Sequence, residues 1–253
     1  MKVLIIDDEG DEAGLNLEHA NNNESSVYSA IRQLRETFNK HSYVMYTATP
    51  QGPLLISIQD SLSPKYVTLL SSGPDYLGGS DLFSEGNTFV RRIPQTDAQF
   101  VFNSDHSATV PKSLKFALAY FLLALRISQI KGYPKPLSML IHPSVKVDLH
   151  ETYKVWVSKV LNAWSTTLSD DSEELYQIEK HNFFQPALEE LTTTAQLPQG
   201  FNLDNVLKDM KYWIGSIGIR IANKDYSDID TKLWMTKPGW ILIGGNKLSR
   251  GFT

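Results

Sequence analysis

Four polar stretches, each directly after a short apolar run, hold the side chains that could carry chemistry. The first is Asp8-Glu9-Gly10-Asp11, which follows the run Val3-Leu4-Ile5-Ile6 and Asp7. An aspartate in such a place can hold Mg²⁺, usually through water, beside nucleotide phosphates, and the adjacent glutamate can orient or deprotonate an attacking water. The pattern predicts a nucleotidase-type site with Asp8 as the Mg²⁺ ligand and Glu9 as the base. The alternative is a solvated acidic turn.

The second stretch is Thr47-Ala48-Thr49-Pro50-Gln51, at the end of the apolar run Tyr43-Val44-Met45-Tyr46. Small hydroxyl residues at a strand end suit a tightly packed hinge. We expect the side chains of Thr47 and Thr49 to hydrogen-bond the acidic loop and to report the nucleotide state. The alternative is a simple turn that begins at Pro50.

The third stretch follows the apolar run 137–141 and contains His142, Ser144 and Lys146. These side chains are candidates for contact with a nucleic-acid backbone. The alternative is an ordinary strand end with a partly buried histidine. A metal site that combines His142 with His150 and Glu151 is rejected, because the spacing matches no known metal-binding pattern.

The fourth stretch runs from Gly244 to Thr253. Its two leading glycines allow a ligand to approach the backbone closely. Lys247, Ser249 and Arg250 then supply donors for phosphate oxygens. The stretch is not a phosphate loop of the Gly-x-x-x-x-Gly-Lys-Ser/Thr type. The alternative is a loop with ordinary charges that face solvent.

The surrounding pattern predicts the elements that must position these stretches. Apolar runs rich in branched residues alternate with segments of helical periodicity, which indicates an α/β protein with parallel sheets and helical cover. In such folds the chemistry lies just past the carboxyl ends of the strands. Strands are predicted over 3–6, 43–46, 66–70, 137–141, 217–221 and 240–243, and helices over 26–40, 113–131, 148–163, 172–181 and 203–213.

Composition narrows the functional class. The 253 residues suffice for two modest domains, and the absence of cysteine excludes disulfides and thiolate zinc sites. The net charge of −4 argues against nucleic acid, but residues 207–253 carry eight basic and four acidic side chains. No export signal is visible, and the apolar run 116–130 is interrupted by Arg126 and is too short for a membrane span. A cytoplasmic protein without membrane contact is expected.

Residues 61–113 form a long insertion that carries aromatic side chains. Base stacking on these rings is one interpretation. We expect them instead to be core residues, as aromatic side chains usually are. They are Tyr66, Tyr76, Phe83, Phe89, Phe100 and Phe102.

Taken together and in this order, the four stretches resemble motifs II, III, IV and V of superfamily-two helicases, with Arg250-Gly251 the most typical pair. Residue by residue, the sequences of these stretches are similar to those of the Z-one domain family. Those proteins are bacterial, are often described as endonucleases, and are associated with restriction-like defence. The resemblance covers nearly the whole chain.

The resemblance implies a nucleic-acid-dependent, helicase-like ATPase or translocase with two RecA-like parallel-sheet domains and ATP between them. Residues 1–132 would be the first domain, with an insertion and a connecting helix, and residues 133–253 the second. DNA and the subunits of a defence system are the implied partners, and the parent would be an ATP hydrolase, with or without endonuclease activity.

The resemblance also implies roles for individual residues. Asp8 would take the Mg²⁺ role and Glu9 the water-activating role. Asp11 and Arg250 would contact the nucleotide. The residues that would couple that site to nucleic acid or lie along it are Thr47, Thr49, His142, Ser144, Lys247 and Ser249.

The chain departs from the family pattern at both ends of the motif order. No phosphate loop precedes Asp8, and no arginine-rich motif VI follows Thr253. We therefore expect a fragment from motif II to motif V, with the first domain lacking its opening strands and the second truncated. ATP and Mg²⁺ are expected in the full-length parent. Neither is expected to bind this fragment tightly, and the chain is predicted not to hydrolyse ATP at a useful rate.

Two other function classes stay open at this point. One is a non-catalytic module that binds nucleic acid or protein. The other is a metal-dependent nuclease with Asp7, Asp8, Glu9 and Asp11 as ligands. The nuclease is disfavoured, because two-metal chemistry needs converging carboxylates and four in five consecutive positions cannot all face one point.

Overall fold

The computed structural model describes residues 2–11, 24–58, 60–86, 89–102, 109–144, 146–168, 174–222 and 231–245. By packing, the chain divides into two compact units, residues 1–76 and residues 77–253. Each is described by itself below. The boundary predicted near residue 132 concerns the domains implied by the resemblance and stays a prediction, whereas the boundary by packing lies at residue 76.

Unit 1, residues 1–76, is built on two parallel strands. In chain order its elements are β1 (Val3–Asp8), α1 (Ser26–Glu36), β2 (His41–Tyr46) and α2 (Gln51–Leu55). Val3 lies opposite His41 and Asp8 lies opposite Tyr46, so both strands end at the same edge. This confirms the two predicted strands and brings the first and second polar stretches together.

Helix α1 packs on one face of this sheet. Ser25 caps it by accepting a hydrogen bond of 3.3 Å from the amide of Tyr28. The Arg35 guanidinium lies 5.0 Å from the centre of the Tyr43 ring, and its Nε lies 3.4 Å from Nε2 of His41. The face with His41 and Tyr43 is therefore the covered one.

The other face of the β1–β2 sheet is open. Leu4 and Ile6 are 60% and 59% exposed, and Val44 and Tyr46 on β2 are exposed as well. Alternation along a strand places these four side chains on one face. Parallel sheets are ordinarily covered on both faces, so this face is unusual.

Unit 2, residues 77–253, contains a three-stranded parallel sheet with the order β3-β5-β4. Its elements are α3 (Gly79–Phe83), α4 (Gln95–Phe102), α5 (Lys112–Ile130), β3 (Leu137–Ile141), α6 (Val147–Thr167), α7 (Glu174–Glu179), a π-helical segment (Lys180–Phe184), α8 (Gln185–Thr194), α9 (Leu203–Trp213), a 3₁₀ turn (Ile214–Ser216), β4 (Gly218–Ala222), α10 (Thr231–Trp234) and β5 (Gly239–Gly244).

The main core of unit 2 lies between this sheet and the helices around it. Leu118, Leu122 and Leu123 of α5 are fully buried there with Trp164 of α6 and Leu207 of α9. Among the described residues, α5 alone is long and apolar enough to cross a membrane. That is weak evidence for a span, because its apolar side chains form this core.

The strand predicted at residues 66–70 is wrong. That segment is irregular and Tyr66 is 93% exposed, because among the described residues no strand lies beside it to take up its backbone hydrogen bonds. The expectation that the aromatics of the insertion belong to the core also fails for Tyr66, Tyr76, Phe83 and Phe89, which are exposed. The side chains of Phe100 and Phe102 lie outside the described residues.

The other predicted elements agree in type with the structure, with shifted ends. The prediction of a helix over 172–181 understates its length, since α7 continues through the π-helical segment into α8. The mixed α/β class with parallel-strand sheets is confirmed, whereas helices cover only one face of the β1–β2 sheet among the described residues.

Candidate functional site

At the carboxyl edge of the β1–β2 sheet, one carboxylate joins the two polar loops. The Thr47 hydroxyl donates to Oδ1 of Asp11 over 2.6 Å, and the Thr49 hydroxyl donates to Oδ2 of the same group. The Thr49 amide donates back to the Thr47 hydroxyl oxygen over 2.9 Å. The hydrogen bonds expected from the two threonines to the acidic loop are therefore present. The role of the threonines in coupling the nucleotide site to nucleic acid stays a prediction.

Asp7 and Asp8 face opposite sides of the sheet. The Tyr43 hydroxyl donates to Oδ2 of Asp7 over 2.5 Å on the face covered by α1. Burial raises the pKa of Tyr43 well above its usual range, and the hydrogen bond and charge of Asp7 raise it further. Asp8 is exposed and makes no hydrogen bond or ion pair with the other described residues.

The turn after β1 is held in a special conformation. Glu9 has a φ of 59°, in the left-handed region that residues other than glycine rarely adopt. Gly10 is buried, and its amide donates to the carbonyl of Tyr46 over 3.2 Å. A Cβ on Gly10 would lie 2.2 Å from Cγ of Met45, so only glycine fits there without a shift of that side chain.

The donor set at this edge suits a cation held by one carboxylate. The described residues contain no group of three or more His, Asp or Glu side chains arranged to hold a metal. Mg²⁺ keeps several waters and takes one or two carboxylates together with substrate phosphates, so Asp8 fits as a single ligand. The carboxylates of Asp7 and Asp11 are directed at Tyr43 and at the two threonines, which does not fit a two-metal nuclease site.

Unit 2 has a second carboxyl edge with polar loops. Ile141 at the end of β3 lies opposite Ile243 of β5, so the stretch that begins at His142 starts beside Gly244. His142 is exposed, and Ser144 is partly buried and accepts from the Lys146 amide over 3.2 Å. The third polar stretch thus lies at the same sheet edge as the beginning of the fourth. Lys247, Ser249 and Arg250 lie outside the described residues.

His150 is a residue whose position the sequence did not reveal. It is 1% exposed in the first turn of α6, and its Nε2 lies 2.9 Å from the carbonyl oxygen of Ser144, to which it donates. Its Nδ1 is buried and has no hydrogen-bond partner among the described residues. A histidine early in an apolar helix is the one signal that points to it, and that signal does not identify its partner.

The comparisons with known proteins concern mainly unit 2. The family model of the Z1 (Z-one) domain matches residues 113–253, more than half of the chain. The chain belongs to the Z1 domain family. Comparison with curated proteins and with solved structures gives no match.

Within the Z1 match lie α5 from Ser113 onward, the whole β3-β5-β4 sheet and the residues that follow its strands. The acidic loop and the two threonines of unit 1 lie before the matched residues. Z1 membership therefore agrees with the resemblance for the third and fourth polar stretches. The roles given to Asp8, Glu9, Thr47 and Thr49 by the motif resemblance lie outside the matched residues and stay predictions.

Proposed function

We propose that this Z1 chain is part of a nucleic-acid-dependent, helicase-like ATPase or translocase of restriction or phage-defence type. Its two domains would be RecA-like, within residues 1–132 and 133–253. The observation that carries the proposal is the pair of hydrogen bonds from Thr47 and Thr49 to Asp11. This arrangement ties the loop after β2 to the loop after β1, as a link between nucleotide and nucleic-acid sites requires.

In this proposal the three carboxylates of the acidic loop have different roles. Asp11 is engaged by the threonines, so it acts as the link between the loops and not as a direct ligand of the nucleotide. Asp8 and Glu9 are exposed beside it and are unpaired among the described residues. Asp8 would hold Mg²⁺, and Glu9 would accept a proton from a water positioned by this turn.

ATP and Mg²⁺ belong to the complete ATPase in this proposal. When bound, Mg²⁺ would neutralise charge on the nucleotide phosphates. The 253 residues contain no Gly-x-x-x-x-Gly-Lys-Ser/Thr sequence to cradle the β- and γ-phosphates. The chain alone is therefore inactive as an ATPase.

DNA is the proposed partner of the carboxyl-edge loops of unit 2. His142 is exposed and Ser144 is partly exposed there, and Lys247, Ser249 and Arg250 follow β5 in the sequence. Backbone contacts of this kind position a protein on nucleic acid without reading its sequence. Subunits of a defence system are further proposed partners.

Two measurements on the purified chain test the proposal. In the first, ATP turnover is followed with Mg²⁺, with and without DNA, for the wild type and for Glu9→Gln. We expect both proteins to stay at background. Turnover by the wild type that Glu9→Gln abolishes would contradict the claim that this chain needs a phosphate loop supplied from elsewhere.

In the second measurement, binding of labelled DNA is followed by fluorescence anisotropy at several salt concentrations. We expect Lys247→Gln/Arg250→Gln to bind DNA more weakly and with a smaller salt dependence. The variant would make fewer phosphate contacts, and so its binding would release fewer counterions. Lys40→Gln/Lys159→Gln is the matched control with the same loss of charge. Equal binding by both double variants contradicts the role of the fourth stretch.

A non-catalytic binding module is the second candidate. The open apolar face of the β1–β2 sheet favours it, because such a face suits contact with protein. If the chain does not bind DNA at any salt concentration and self-associates in light scattering, this candidate is favoured over the ATPase fragment.

A further inference from the structure

A cleft lies at the amino ends of β3 and β5, at the opposite edge of the unit 2 sheet from the proposed DNA loops. Its volume is about 260 Å³. The side chains that matter for its chemistry are Gln129, Tyr133, Lys135, Met235, Thr236 and Lys237. That volume is just below the range of about 300–1,000 Å³ typical of small-molecule pockets. It suits one unit of a longer ligand better than an enclosed metabolite.

The first wall of the cleft is fixed by the end of α5. Gly132 has a φ of 79°, its amide donates to Gln129 over 2.9 Å, and the Tyr133 amide donates to Ser128 over 3.0 Å. This pattern of bonds is a Schellman motif, which ends the helix in one defined conformation. Prolines on both sides of Lys135 restrict the backbone further.

The second wall is fixed by a tryptophan pair. Trp234 stacks on Trp240 with ring centres 5.3 Å apart, and the Trp240 indole donates to the Trp234 carbonyl over 2.9 Å. The Thr236 hydroxyl donates to the Leu233 carbonyl over 2.7 Å. Because Leu137 lies opposite Gly239, this turn lies beside the first wall. Both walls are therefore preorganised, which lowers the entropic cost of binding.

The cleft has unbalanced positive charge. Lys135 and Lys237 make no ion pair with any described residue, and none of the described residues that line the cleft carries a carboxylate. No Asp or Glu occurs between Asp105 and Asp148 or after Asp230. Lys135 thus has no acidic neighbour within ten residues in sequence, whereas the acidic residues nearest to Lys237, up to Asp230, lie outside the described residues. The ligand that this charge suits is an anion.

The remaining surface of the cleft suits a base beside the anion. Tyr133 is 50% exposed and Met235 is 57% exposed, so both offer apolar surface next to the lysines. Cations that follow a backbone and an aromatic ring on which a base can stack are the two parts of a single-strand binding site. An acidic peptide would use the lysines but would gain little from the ring.

We propose that this cleft binds a single-stranded nucleic acid, with Lys135 and Lys237 on its phosphates and Tyr133 against a base. The proposal rests on the proposed function only for nucleic acid as a partner, and it needs neither ATP nor Mg²⁺. It adds a second contact surface to unit 2, at the opposite sheet edge from His142 and from Gly244, where the fourth polar stretch begins.

Anisotropy of a labelled single-stranded oligonucleotide of about 16 nucleotides tests the cleft in the full chain. We expect Lys135→Gln/Lys237→Gln to weaken binding at least about tenfold and to lower the salt slope by about 1.4, or about 0.7 per phosphate contact. Tyr133→Leu should weaken binding about fivefold or more with an unchanged salt slope. Lys135→Arg/Lys237→Arg should retain binding, and Lys40→Gln/Lys159→Gln should match the wild type.

The outcomes separate the cleft from the proposed function. If the wild type binds but only Lys247→Gln/Arg250→Gln weakens binding, the cleft is overturned and the proposed function stands. If the wild type binds no oligonucleotide, both are overturned. Equal affinity for poly-glutamate overturns the nucleic-acid assignment of the cleft. Circular dichroism of each variant confirms that a loss of binding is not a loss of folding.

Discussion

Thr47 donates a hydrogen bond of 2.6 Å to Oδ1 of Asp11 and thereby ties the end of β2 to the loop after β1. Thr49 occupies the other oxygen of the same carboxylate. Thr47 and Thr49 lie 36 and 38 residues after Asp11 in sequence, so one side chain joins two distant loops. Any motion of the acidic loop must be transmitted to the threonines or break these bonds.

Thr47→Val should loosen unit 1, because it leaves a charged acceptor without one of its donors. The expected cost is about 1.5–3 kcal/mol, the range for hydrogen bonds to charged groups. All five tryptophans lie after residue 76, so their fluorescence reports unit 2. Hydrogen exchange of β1 and β2 is therefore the measurement.

A double-mutant cycle with Asp11→Ala isolates the bond itself. If the contact is real, Thr47→Val costs much less in the Asp11→Ala background than in the wild type. Thr68→Val, in the exposed irregular segment, is the control and should leave exchange unchanged. Additive effects of the two substitutions contradict the contact.

Gly10→Ala should destabilise unit 1 by overpacking. The added Cβ would lie 2.2 Å from Cγ of Met45. Overpacking of this kind costs about 1–3 kcal/mol. Hydrogen exchange of β1 and β2 measures the effect, and Met45→Ala should relieve most of it. Equal damage in the Met45→Ala background would show that the space beside Gly10 is not set by that side chain.

The placement of the polar stretches can be predicted from the sequence, because the change from apolar to polar residues marks where each strand ends. An apolar run such as Val3–Ile6 followed by carboxylates indicates a buried strand and the loop after it, and parallel pairing brings such loops together. The Asp11–Thr47 contact follows from that placement. The Asp7–Tyr43 bond does not, because it depends on the register between the strands and on which face α1 covers.

Failures of prediction have physical causes as well. Residues 66–70 have a strand-like composition, but a strand needs a neighbour and none pairs with this segment in the part of the chain that the structure describes. Phe83 and Phe89 are exposed although aromatic side chains are usually buried, because burial depends on packing partners that composition does not name. His150 was visible in the sequence, but its bond to the Ser144 carbonyl requires the tertiary turn after β3.

Tyr43 should make unit 1 sensitive to alkali. Its pKa is raised by burial and then by Asp7, so the fold favours the protonated phenol. A raised pKa in the folded state gives stability that is complete below the unfolded value, about 10, and is lost as pH rises through the folded value. Unit 1 should therefore become easier to cleave as pH rises above about 10.

Pulse proteolysis with an alkali-tolerant protease follows this change, since cleavage tracks the open population. Tyr43→Phe removes the ionisable group and should flatten the pH dependence, at the cost of leaving Asp7 without its donor. Tyr46→Phe, on the open face of the sheet, is the control and should behave as the wild type does. A Tyr43→Phe protein with the wild-type pH dependence contradicts the assignment.

His150→Phe should free the loop that contains His142 and Ser144. The substitution leaves the Ser144 carbonyl without the donor that lies 2.9 Å away and keeps an aromatic ring in the buried site. A fully buried acceptor left unsatisfied costs about 1–3 kcal/mol, so the partly buried Ser144 carbonyl should cost less than about 3 kcal/mol, which urea unfolding followed by tryptophan fluorescence can measure in unit 2. His150→Gln retains an N–H donor and should recover part of the loss.

Hydrogen exchange of residues 142–149 should rise in the phenylalanine variant, while His142→Ala, at an exposed side chain, should leave it unchanged. If exchange in this loop is the same in His150→Phe and in the wild type, His150 only fills space and does not anchor the loop.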